Sequence, residues 1–364
     1  MSGSKLKGHN CLFLGETHFF KDLSAINRLD IQKTSWYFYR MNKNQSFFTA
    51  VNLPKTTVKI KHEESILLIG SCFAENIAEK LTHRKFNVVS NPSGIIYNPV
   101  SITTSLKRVL TQKLYSESDL IDYNGKWLSF DHHSFFSNSN KEACLAQINE
   151  QITATAISLK STQTIFITFG SAWVYEYKDI GIVANCHKIP QKQFAKRLLS
   201  VKEILLAFDE IKKELTGFNV VFTVSPVRHV RDGLHENNLS KSTLHLAINN
   251  LVEQNKNYHY FPAYEMIVDE LRDYRFFKDD LVHPTSLAIN YVWDKFVSTY
   301  CNANTNDLID QLEKINSAIN HKPFDFNSEP HQQFIKKQVE LMDKLTIQFP
   351  FLDFDEEQKV LKKG

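Results

Sequence analysis

Four aliphatic residues in a row, Ile66-Leu67-Leu68-Ile69, run straight into Gly70-Ser71-Cys72-Phe73-Ala74. An unbroken apolar run of that length reads as a short strand buried on both faces, as in the middle of a parallel sheet. Gly70 permits a tight turn, and residues 73–84 continue with the spacing of an amphipathic helix. The same alternation recurs down the chain. Strands are predicted at 87–89, 164–169, 219–224 and 258–261, and a short strand or loop at 127–130. Helices are predicted at 100–114, 141–159, 201–216, 239–254 and 285–300. Gly170, Gly217 and Ser225-Pro226 act as stops. Strands alternating with helices of this length predict an α/β fold, a parallel sheet covered on both faces.

The flanks differ from this core. Residues 1–43 carry no clear periodicity, and Met41 opens a second plausible start, so they read as a disordered or misassigned N-terminal leader, with an ordered extension as the alternative. Residues 44–303 form the main domain, entered through an extended approach at 44–64. Only helical patterning is found in 304–364, near 305–320 and 330–347, which predicts a helical C-terminal arm packed on the domain.

Composition narrows the class. The chain has 364 residues, of which 42% are hydrophobic and 23% charged, the profile of a globular protein with a proper core. The 43 basic and 40 acidic residues nearly cancel, and no basic stripe with interleaved aromatics argues for nucleic acid. No apolar run has the length of a membrane span. The N-terminus lacks the apolar core and cleavage site of a signal peptide, so a cytoplasmic location is expected. Five scattered cysteines fit reduced thiols rather than a disulfide framework.

Two places carry candidate chemistry. A hydroxyl at the turn after 66–69 sits at the carboxyl edge of the sheet, where open α/β folds place ligands. It also sits at a helix N-terminus, which favours developing negative charge. Ser71 is therefore placed as a nucleophile or, alternatively, as a simple helix cap. Downstream, Asp280 precedes His283 by three residues in RFFKDDLVHP (275–284). On one turn the carboxylate can hold the imidazole tautomer while the other ring nitrogen faces a nucleophile. The alternative is a surface loop with a helix-starting aspartate.

Other residues weigh less. Cys72 is the stronger intrinsic nucleophile when ionised, yet its position after the turn points it into helix packing. The histidines show no paired ligand spacing, so no metal or other cofactor is expected. Arg228, His229 and Arg231 follow a strand end, where they would bind an anionic or sugar substituent or pair with Glu265, Asp269 or Asp273.

The string GSCFA (70–74) resembles the name-giving motif of the GSCFA family, taken as a branch of the GDSL/SGNH-type serine hydrolases. NPSGIIYNP (91–99), TFGSAWVY (168–175), NCHKIP (185–190), TVSPVRHVRDG (223–233), 260–284 and HKPF (321–324) resemble its further blocks, in order. The resemblance spans roughly residues 50–340. It implies a flavodoxin-like three-layer α/β/α fold with Ser71 as nucleophile, His283 as base and Asp280 as its partner. It also implies that the Ser71 and Gly94 N–H groups hold the oxyanion. The third SGNH block normally supplies an asparagine donor, and here that position is Ala172. Losing one such donor costs about two to three powers of ten in rate; Ser171, Asn98, Asn185 and His187 are candidate replacements. The expected function is a serine esterase acting on a small acyl ester, by analogy an O-acetyl group on a carbohydrate. An inactive binding or sugar-modifying accessory protein and an acyltransferase are the alternatives.

Overall fold

The computed structural model describes residues 49–321 and 324–363. The expected leader, 1–43, and residues 322–323 of the HKPF block lie outside them. β1 (Ser65–Gly70) is buried at every position, as its aliphatic run requires. It turns at Ser71 into α1 (Cys72–Thr82), whose buried face is Phe73, Ala74, Ile77, Ala78 and Leu81. β2 (Asn87–Ser90) and α2 (Pro99–Leu110) follow. A hairpin, β3 (Ile121–Tyr123) and β4 (Lys126–Leu128), leads to α3 (Lys141–Ser158) and the long β5 (Thr162–Phe169). β6 (Trp173–Tyr177), β7 (Gly181–Val183) and β8 (Phe194–Leu198) make a separate antiparallel sheet. Next come α4 (Val201–Asp209), β9 (Asn219–Val224), α5 (Leu234–Gln254) and β10 (Tyr258–Tyr260). The chain closes with α6 (Ser286–Tyr300), α7 (Ala303–Ile319), α8 (Glu329–Gln348) and α9 (Asp355–Lys363).

The main sheet runs β2-β1-β5-β9-β10, and every adjacent pair is parallel. Counting only its own strands, that is the 2-1-3-4-5 order of flavodoxin-like folds. Alternation along the strands splits the core into two faces. Ile66, Leu68, Phe166 and Val221 pack against α1 and against Ala288, Val292, Trp293 and Phe296 of α6. Leu67, Ile69, Ile165, Ile167 and Phe222 pack against α2, α4 and α5. Each such side chain contributes about 1.5–3 kcal/mol on burial. The result is the expected three-layer α/β/α arrangement.

Helices α7–α9 build their own cluster around Leu312, Ile315, Met342, Leu345 and Phe354. Ile309 of α7 joins the main core. Beyond α1, the Arg84 guanidinium stacks 4.6 Å over Trp293 and pairs with Glu313 of α7. Lys85 pairs with Glu357 of α9 at 2.5 Å.

Several boundaries differ from the sequence expectation. α2 stops at Leu110 rather than 114 because Gln112 takes a left-handed φ of +52°. α4 ends at Asp209, and the residues up to Gly217 form turns instead of helix. α5 starts at Leu234, five residues before the predicted 239, entered through Gly233 at φ +102°. Residues 266–270 form a π-helical turn, with the Leu271 N–H donating to Met266 O at 3.0 Å.

Gly70 is the position where the fold has least freedom. Its φ is +137°, and an added Cβ would stand 2.1 Å from the Thr168 carbonyl oxygen. Gly70→Ala is expected to destabilise the protein by about 3 kcal/mol, read as a lowered urea midpoint. A midpoint indistinguishable from wild type would show that β1 and β5 can part at no cost.

Candidate active site

The close approach at Gly70 brings Ser71 to the edge of the sheet. Its N–H donates to Thr168 O at 3.2 Å, and its Oγ accepts from the Phe73 N–H at 3.3 Å. Ser71 thus caps α1 at the head of the helix and is 1% exposed. Asn91, which the sequence reading passed over, supports the turn from the side. Its Oδ1 accepts from the Gly70 N–H at 2.8 Å, while its buried Nδ2 has no partner among the described residues.

Asp280 and His283 meet as their spacing requires. His283 Nδ1 lies 2.7 Å from Asp280 Oδ2. The Val282 and His283 N–H groups both donate to Asp280 Oδ1 at 2.9 Å. Leu281, at φ +59°, tightens the turn. The His283 and Val282 amides, with the imidazole, hold the Asp280 carboxyl well below its usual range, at about 2. Both side chains are close to half exposed, at 46% and 50%. No hydrogen bond joins His283 to Ser71 among the described residues.

Three groups lie around the strand ends that carry Ser71. The Tyr97 carbonyl accepts from the Gly170 and Ser171 N–H groups at 2.8 and 3.0 Å. The His229 ring meets Tyr97 edge-on at 5.5 Å. Burial pushes His229 down to about 4; the Lys241 and His283 charges act the same way, against Asp232 and the Gly170 backbone. Lys241 is the residue sequence reasoning missed most plainly. It lies on the stripe of α5 formed by Asn237, Ser240, Leu244, Ile248 and Leu251, a register that marks a buried lysine.

Arg228 holds its guanidinium 5.8 Å over the Phe277 ring, on the loop that leads to Asp280. Its pairing with the acidic stretch does not form: Glu265 bonds Tyr260 and approaches His245, Asp273 approaches Arg275, and neither Arg228 nor Arg231 has an ion pair among the described residues. The Gly94 N–H donates to Asn91 O at 2.7 Å, and a Cβ there would meet His133 Cβ at 2.2 Å. Asn98 caps α2, accepting from the Ser101 N–H at 2.8 Å. Ser171 Oγ accepts from the Trp173 N–H at 3.0 Å and lies 3.3 Å from Ser240 Oγ. Asn185 accepts from the His187 N–H at 2.7 Å, and His187 Nε2 lies 2.8 Å from Ser129 O. Each of the four thus has a local hydrogen-bonding role. Cys72 is half-buried, and burial with Glu75 nearby raises its thiol above the usual value. Among the described residues no cluster of His, Cys, Asp and Glu is placed to hold a metal, and no helix is long and apolar enough to cross a membrane.

The depressed Asp280 carboxyl has a measurable consequence. Its folded value lies below the unfolded one, so its contribution to stability is complete above about pH 4 and fades as pH falls through about 2. Carboxyl-carbon NMR of the folded protein should find Asp280 titrating near pH 2. A midpoint near the ordinary 3.9 or so would mean that the turn does not hold in solution.

The GSCFA family matches residues 65–296, from the start of β1 into α6. The GSCFA domain protein, C-terminal domain, matches residues 312–364, most of the helical arm. No curated protein matches the chain. With the sheet, the Ser71 turn and the Asp280–His283 loop all inside the first match, the chain belongs to the GSCFA family.

Proposed function

We propose that this protein is a serine-type acyl-ester hydrolase of the GDSL/SGNH kind, with Ser71 as nucleophile, His283 as general base and Asp280 as its orienting partner. The observation that carries the reading is the 2.7 Å contact between His283 Nδ1 and Asp280 Oδ2. With the Nδ1 proton given to that carboxylate, Nε2 would be the basic nitrogen. Ser71 at the head of α1, on the carboxyl edge of a 2-1-3-4-5 sheet, supports the same reading.

In the reaction Ser71 Oγ bonds to the ester carbonyl carbon as its proton passes to His283 Nε2. Collapse of the tetrahedral species expels the alcohol, which takes that proton. Water then attacks the acyl-serine with His283 again as base, releasing the acid and restoring Ser71. The oxyanion meets the N-terminal amides of α1. The Ser71 and Gly94 amides already have the Thr168 and Asn91 carbonyls as acceptors. They reach an oxyanion only by sharing their protons in three-centre bonds. Hydrogen bonds between nucleophile and base are often long without substrate. The substrate class is a small acyl ester, with an O-acetylated carbohydrate as the first choice.

A second reading, an accessory protein that binds without turnover, draws on the same engaged amides and on Ala172, which offers no side-chain donor. Transfer of the acyl group to an acceptor other than water uses the same residues and is separated by analysing products.

A fluorophosphonate probe should label wild type at Ser71, keep labelling Cys72→Ala, and fail with Ser71→Ala and His283→Ala. Asp280→Asn should slow hydrolysis of nitrophenyl acetate by about 10²–10⁴-fold. A folded wild type that never takes the probe would leave the binding reading in possession.

A further inference from the structure

Lys241 is 2% exposed, and its Nζ donates to Gly170 O and to Ser225 O, each at 2.7 Å. Those carbonyls belong to the residues just past β5 and β9. The Ser225 N–H in turn donates to Phe169 O at 2.8 Å, so one ammonium and one amide lace the two strand ends together. Among the described residues no carboxylate pairs with Lys241. The titratable groups that face it are Cys72 from α1, His229 from the loop after β9 and His245 one turn along its own helix. Behind these stand Asp232 and His283 near His229, and Glu265 and Asp269 near His245. Burial pushes Lys241 down to about 7, with Cys72 acting the other way.

The strand end that Lys241 grips is the one that Ser71 and Tyr97 rest on. Ser71 N–H binds Thr168 O, two residues before Gly170, and Tyr97 O receives the Gly170 and Ser171 amides. A buried cation is poorly screened, so its field reaches the Ser71–Cys72 turn at far more than its strength in water. We propose that Lys241 is the positioning residue of this edge: its Nζ ties β5 to β9 and, protonated, sets a positive charge beneath the turn where Ala172 provides no side-chain donor. This rests on the reading of Ser71 as nucleophile, whose attack builds negative charge beside that turn.

Two rates, measured in the full-length protein, test it. Fluorophosphonate labelling of Ser71 is followed against pH, and iodoacetamide alkylation of Cys72 is followed at about pH 7 by peptide mass spectrometry, since thiolate is the reactive form. Lys241→Gln keeps an amide donor without the charge, and Lys241→Met fills the volume in case the amide unsettles the core. In both variants labelling should slow about tenfold and Cys72 alkylation should slow with it. The wild-type labelling profile should carry a decline above about pH 7 that both variants lack. Unchanged rates in variants with wild-type melting overturn the proposal. Slower labelling with unchanged alkylation also overturns it, leaving Lys241 a structural bridge, and the converse removes its part in the reaction. A wild type that never labels retires the hydrolase reading alone, and the Cys72 rate then decides whether the charge lies beneath the turn.

Discussion

β1 and β5 converge so closely at their carboxyl ends that the Thr168 carbonyl oxygen occupies the space a side chain on residue 70 would need. With hydrogen there, the backbone can take φ +137° and swing Ser71 out of the strand into the head of α1. The rest of the edge is hung from the same strand. Thr168 O takes the Ser71 amide, and the next two residues give their amides to Tyr97 O. Phe169 O takes the Ser225 amide, which brings β9 into line. The Ser71 turn, the Tyr97 loop and the start of the loop after β9 thus share this short stretch of β5 as an anchor.

The main sheet was legible from residue type alone because its three central strands, β1, β5 and β9, are buried at nearly every position. Runs such as 66–69 and 219–224 have no polar alternative to adopt, and the helices between them alternate with them in a pattern that leaves few topologies. The small sheet of β6, β7 and β8 was not legible for the converse reason. Its residues are mostly half-buried, the run WVYEY mixes aromatic and charged positions, and its partner strand begins only at Phe194. The early ends of α2 and α4 have different causes: α2 stops where Gln112 turns left-handed, whereas past α4 Ile211 and Leu215 keep their helical spacing and pack into the core from a chain of turns, so apolar spacing overstates the helix.

The site divides along the same line. Asp280 and His283 could be paired on paper because a single turn joins them, and the contact needs nothing from the rest of the fold. Ser71 could be placed because a strand and a helix meet there. Lys241 needed a tertiary fact: two carbonyls left over at the ends of β5 and β9, 71 and 16 residues away in sequence. A lysine in a stripe of Ser240, Leu244 and Ile248 was a signal of burial, since an ammonium enters a core only where acceptors await it. Arg228 shows the reverse. Its acidic neighbours in sequence satisfy Tyr260, His245 and Arg275, and the guanidinium turns to the Phe277 face instead.

Under the proposed reaction, the capping and nucleophilic roles of Ser71 do not compete. A hydroxyl has two lone pairs and one proton, and the Phe73 N–H occupies only one lone pair, leaving the proton to give. An N–H donated to Oγ also favours the oxygen as negative charge grows on it, as the helix terminus does. What the two halves of the site lack is equal access. Ser71 as a residue is 1% exposed, whereas the imidazole and its carboxylate stand close to half in solvent. Under the proposed reaction Ser71 Oγ and His283 Nε2 come within hydrogen-bond reach in the substrate complex. The loop that carries His283 is closed at its base by a bridge between Phe277 and Pro284, and its tip is exposed, with Leu281 at φ +59°. The Asp280–His283 pair is held entirely by bonds within the tip, so it can travel as a unit without losing its tautomer. Under the proposed reaction, closure by an acyl ester settling over the strand ends would both complete the proton path and remove the solvent that now screens it.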